Sequence, residues 1–175
     1  GGMIAQYLAI DFPEFVEKLV LAVTLARPND TVKERCEIWI KSAEEKDYQA
    51  IMKDCALYSY SDEYLRKNKM MLNVISKIGA PKSFDRFITF SKACTTHNAY
   101  EKLEKITCPT LVIGGKQDKI VTYEASEEIA SKISNAKLKT YEEFGHALYE
   151  EGKDFNKTVY EFCMGNETLL EKIDK

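Results

Sequence analysis

The stretch from Thr110 to Tyr149 constrains this chain more than any other. It opens with the run Thr110-Leu111-Val112-Ile113, which Gly114-Gly115 closes. A short apolar, β-branched run ended by glycine is the pattern of a strand buried on both faces of a parallel sheet. Asp118 follows on a loop. A segment with helical periodicity then puts Ala125, Ile129, Ala130 and Ile133 on one stripe. A second strand is expected over Lys137 to Tyr141, followed by a loop carrying Gly145-His146. Strand, acid, helix, strand, histidine is a βαβ unit. Both ionisable groups fall just past the carboxyl ends of adjacent strands, the edge of a parallel sheet where ligands collect.

A carboxylate beside an imidazole has a mechanical use. The acid accepts a hydrogen bond from one ring nitrogen, which fixes the tautomer. It also stabilises the imidazolium that forms when the other nitrogen takes a proton. The group that loses that proton is then a nucleophile, usually Ser or Cys. Taken singly, Asp118 is also an ordinary turn residue and His146 an ordinary loop histidine. Taken together in this frame, they point to chemistry.

The rest of the chain supplies context. Residues 2 to 12 read as a helix with Ile4 and Leu8 near one face, stopped before Pro13 because the residue preceding proline disfavours the helical region. Lys18 to Thr24 reads as another buried strand. Strand signals then disappear until about Tyr100. Four helical patterns fill the gap: 34 to 45, 47 to 58, one capped by Ser61 and running through Leu65, Met71, Val74, Ile75 and Ile78, and one from about Pro81 to Thr96. This segment is far longer than a crossover between parallel strands requires. His97 reads as a capping or surface residue. Ala99 to Lys105 is a short helix, and a last helix carries Phe155, Val159, Phe162 and Cys163 on one face, ended by Gly165. Residues 167 to 175 form a polar tail.

Composition excludes several classes of partner. At 175 residues the chain suffices for one domain with a real core. A net charge of −3 leaves no footprint for nucleic acid or an anionic membrane. No apolar stretch reaches the length of a membrane span, and no basic-then-apolar leader opens the sequence. The cysteines Cys36, Cys55, Cys94, Cys108 and Cys163 are odd in number and widely spaced, with no C-x-x-C. That spacing suggests free thiols in a reducing, cytoplasmic setting.

The two loops carry a resemblance. Gly114 to Val121, GGKQDKIV, is similar to the loop after the seventh strand of the α/β-hydrolase fold, which bears the acid of a catalytic triad. Glu143-Phe144-Gly145-His146-Ala147 is similar to the loop after the eighth strand, which bears the histidine. The family order is nucleophile, acid, histidine. The opening Gly1-Gly2-Met3-Ile4-Ala5 resembles the continuation of the nucleophile elbow G-x-S-x-G into its helix, with Gly1 as the last elbow glycine. The serine would then lie two positions before Gly1. The other reading of Gly1-Gly2 is an added pair ahead of an ordinary amphipathic helix. No G-x-S-x-G occurs within the chain.

The resemblance implies a partial α/β-hydrolase fold: three parallel strands flanked by helices, plus an all-helical lid. Residues 1–30 and 98–175 would form the core and 31–97 the lid. It implies Asp118 and His146 as catalytic residues, no metal or organic cofactor, and a small-molecule ester or lactone as acyl substrate. Because the strand at 18–24 would lack its usual neighbour, its edge is expected to recruit a second copy or a separate N-terminal half. The alternative function is a non-catalytic fragment that serves as an oligomerisation or ligand-binding module.

Overall fold

The computed structural model describes residues 1–165; the polar tail expected at 167–175 lies outside them. Three strands, β1 (Leu19–Ala22), β2 (Thr110–Gly115) and β3 (Ala136–Tyr141), form one parallel sheet in the order β1-β2-β3. Leu19 pairs with Thr110 and Thr110 with Ala136, so all three strands point the same way in register. Every residue of β2 is buried, as a central strand covered on both faces requires.

Helices cover both faces. On one, Ala9 and Ile10 of α1 (Gly2–Asp11) and Ile129 of α6 (Tyr123–Lys132) cluster with Leu21 and Val112. On the other, α8 (Phe155–Met164) buries Phe162 against Leu111, Ile113 and Tyr141. Gly165 ends α8 in the left-handed conformation at φ 78°, which a residue without Cβ adopts at no steric cost.

Four helices lie between β1 and β2: α2 (Asp30–Glu44), α3 (Tyr48–Ser59), α4 (Asp62–Ile75) and α5 (Asp85–Thr96). Asn29, Asp47 and Ser61 cap the first three through side-chain oxygens that accept from Val32, Ala50 and Tyr64 N–H. α2 packs on α3 and α5, and α4 packs on α3. The short helix expected at Ala99 to Lys105 is a 3₁₀ helix over Tyr100–Lys105.

Two faces differ from expectation. Ile4 and Leu8 share a face of α1, but that face is open, with Ile4 73% exposed. The helix instead buries Gln6, Ala9 and Ile10. Gln6 is accommodated because its amide donates to Leu25 C=O at 3.0 Å and its Oε1 lies 3.3 Å from His97 Nε2. His97 follows α5 directly, is half-buried, and is kept below the usual imidazole range by burial. On α8, Cys163 is exposed rather than inward. No helix among the described residues is long and apolar enough to cross a membrane.

Candidate active site

Asp118 sits on the turn after β2, where its N–H donates back to Gly115 C=O at 3.1 Å. Its Oδ1 accepts from Ile120 N–H at 2.8 Å and Val121 N–H at 3.0 Å. Two backbone donors on one oxygen lock the carboxylate rotamer. They also leave Oδ2 for a single partner, His146 Nδ1, at 2.9 Å. The Asp118 side chain is 2% exposed and that of His146 24%. The acid is thus removed from water while the imidazole keeps one edge open. The two residues singled out in the sequence are therefore in direct contact.

The contact depends on two glycines. A Cβ on Gly115 would lie 2.4 Å from Phe144 C=O and 2.8 Å from Gly145 C=O, so only glycine lets the histidine loop lie against the end of β2. Gly145 in turn approaches the carbonyls of Gln117 and Ser59. Gln117 N–H donates to Phe144 C=O at 3.1 Å, and Lys116 N–H to Tyr141 C=O at 2.9 Å. The two loops are thus stitched together by backbone, independently of the side chains they carry.

A third element holds the histidine loop. Ala147 N–H donates to Ser59 C=O at the end of α3, at 2.8 Å. Glu151, in the short helix α7 (Leu148–Glu151), accepts from Ser61 N–H at 3.0 Å and from the Ser61 hydroxyl. Tyr60 donates its hydroxyl to Glu150 at 2.7 Å and stacks on Tyr64. Tyr60 is held well above the usual phenol range, first by burial and then by that carboxylate. Sequence reasoning missed this clamp. Its partners are 90 positions apart and leave no local signal.

His146 opens on a cavity of about 680 Å³. Gly1, Gly2, Thr24, Trp39 and Tyr149 are among the residues that line it. The start of α1 and the imidazole thus share one chamber. Gly2 packs so closely on Thr24 that a Cβ would meet its Oγ1 at 2.6 Å. Val23, also on the wall, has φ 43°, a strained value for a β-branched residue and of the kind that gathers at functional sites. Among the aromatic and methionine side chains of α2–α5, Trp39 reaches the cavity. Its indole N–H donates to Asp54 on α3 at 2.6 Å, and buried Arg35 pairs with the same carboxylate. Among the described residues, no three His, Cys, Asp or Glu side chains are grouped as a metal site requires.

The sequence profile of the serine aminopeptidase S33 family matches residues 1–153. The chain belongs to this family. RutD of Rhizobium rhizogenes, named as a carbamate hydrolase, is 27% identical over 179 residues, which take in 93% of this chain and 63% of RutD. The 3-oxoadipate enol-lactonase 2 of Acinetobacter baylyi is 24% identical over 162 residues, covering 91% of this chain and 59% of the enzyme. The crystal structure of the enol-lactonase from Burkholderia xenovorans superposes with a TM-score of 0.81 at 20% identity, covering 93% of this chain and 62% of that one. At that identity the likeness carries the fold alone, and the fold is that of part of an α/β-hydrolase. The chain spans about three-fifths of the length of these relatives.

Proposed function

We propose that this chain is the acid-and-base part of a serine hydrolase for ester- or lactone-type acyl substrates. The observation that carries the reading is His146, bonded to Asp118 and lining a cavity that Gly1 and Gly2 also line. A serine two positions before Gly1 would emerge at the start of α1, inside the chamber where His146 is exposed. Its Oγ attacks the acyl carbonyl while His146 takes the proton through Nε2 and later returns it to the leaving group. Asp118 holds Nδ1–H and stabilises the imidazolium. The residue between that serine and Gly1 gives one oxyanion N–H, and the positive end of α1 adds to the field there. The helices α2–α5 act as the lid, with Trp39 shaping the acyl pocket. The names of the lactonase and carbamate hydrolase relatives support a small carbonyl substrate.

The same reading assigns the free edge of β1. Beside it, Leu8, Phe15 and Leu19 line a hollow together with the charged side chains of Glu14, Glu17 and Lys18. The occupant we propose is an N-terminal part of the same protein that adds strands to β1, a reading that the greater length of the relatives supports.

The test is the protein that includes the residues preceding Gly1. A fluorophosphonate should label a serine two positions before Gly1, and His146→Ala should abolish both labelling and p-nitrophenyl butyrate hydrolysis. The 175-residue chain alone should hydrolyse no faster than its His146→Ala variant. A reading frame that starts at Gly1 with no such serine sinks the proposal and favours a non-catalytic ligand-binding module.

A further inference from the structure

Three of the five cysteines line the same cavity as His146: Cys36 on α2, Cys55 on α3 and Cys94 on α5. Serine hydrolysis assigns none of them a task. Cys36 is buried in the cluster of Leu25, Val32 and Ile120, and Cys94 packs against that cluster from α5. The two thiols are hydrogen-bond partners across the contact between α2 and α5. They differ in character. The hydrogen bond from Cys36 holds the Cys94 thiol down at about 7, against the opposing effect of burial. The same bond, reinforced by burial, pushes Cys36 far up. Cys55 has no such partner, and burial pushes it up to about 12. One chamber therefore holds a thiol whose pKa is lowered, the thiol that lowers it, and a third thiol that burial pushes up. A low thiol pKa, access from a cavity and an adjacent second cysteine together mark an oxidation-sensitive thiol.

We propose that Cys36 and Cys94 are a reversible oxidation site that closes to a disulfide and staples α2 to α5 along the cavity wall. With hydrogen peroxide as oxidant, the Cys94 thiolate attacks one peroxide oxygen. The O–O bond breaks, and hydroxide leaves and is protonated to water. The Cys36 sulfur then attacks the sulfenic sulfur of Cys94, the S–O bond breaks, and a second water leaves with the Cys36 proton. Two thiols and one peroxide give one disulfide and two waters. The sulfurs lose two electrons and the peroxide gains them. The staple would join α2 and α5, two of the three helices of the α2–α5 segment that line the cavity, whether or not a serine completes the site.

The test uses the reduced 175-residue chain exposed to hydrogen peroxide. Thiol titration of the denatured product should fall from five reactive groups to three, and the intact mass should fall by two hydrogens. A peptide map without reductant should show Cys36 linked to Cys94, and dithiothreitol should restore all five thiols. The initial rate should rise with pH through about 7, following the Cys94 thiolate. In a Cys36→Ser variant, dimedone should trap a sulfenic acid on Cys94. Five free thiols after oxidation, a link through another cysteine, or sulfinic acid on Cys94 with Cys36 untouched would each overturn the proposal. If the variant fails to fold, the peptide map of the unaltered chain decides alone.

Discussion

The histidine loop and helix α4 stand at opposite ends of structural definition. Backbone hydrogen bonds tie residues 144–147 to the end of β2 and to α3, with two glycines permitting the close approach. α4 packs on α3, and none of its residues is buried. Met70 is 83% exposed, and Val74 is exposed as well. The first region is over-determined, so few changes there are tolerated. The second is held at its N-terminal cap and along one face. The difference indicates where the fold concentrates its rigidity: on the geometry of Asp118 and His146, while the outer part of the helical segment is left loosely held.

The most damaging way to break this contrast is Gly115→Ala. The added Cβ meets backbone carbonyls rather than a side chain that could swing away, so β2 and the histidine loop must separate. We expect a loss on the order of 3 kcal/mol, a typical upper cost of overpacking. Denaturant melts would read the loss. Loss of the His146–Asp118 hydrogen bond would show in the imidazole N–H signals. A melt indistinguishable from the parent chain would show that the two loops are not constrained as described.

Ser61→Ala attacks the junction between the two regions. It removes the N-cap of α4 and one of the two bonds to Glu151 beyond His146. The expected cost is about 1 kcal/mol, the usual worth of a cap. Its signature would be faster amide exchange in both α4 and residues 147–151. Faster exchange in α4 alone would show that the clamp does not couple the two.

How much of this was legible in the sequence follows the same division. β2, β3 and the loops carrying Asp118 and His146 were readable because their signals are local: an apolar run, paired glycines, and an acid and a histidine at strand ends. The 2.9 Å contact was inferable from topology alone, since adjacent parallel strands deliver their carboxyl ends to one edge. What escaped depends on long separations. The Ser61–Glu151 clamp joins residues 90 apart, and Cys36 and Cys94 meet only once α2 and α5 pack. Periodicity also does not say what covers a stripe. It placed Ile4 and Leu8 near one face, yet in this chain that face is open.

Met70→Ala should have the smallest effect and sharpens the comparison most. Both residues are good helix formers, and the Met70 side chain meets mostly solvent, so stability should stay within about 0.5 kcal/mol of the parent. The measurement is informative because a change could come only from burial that the isolated chain lacks. A loss of more than about 1 kcal/mol, growing with protein concentration, would mean that a second copy covers α4 in solution, since a bound partner stabilises by mass action. The contrast between the two regions would then belong to the single chain and not to its assembled form. No change at any concentration would leave the outer face of α4 open, with the rigid part of the molecule confined to the sheet edge and its two loops.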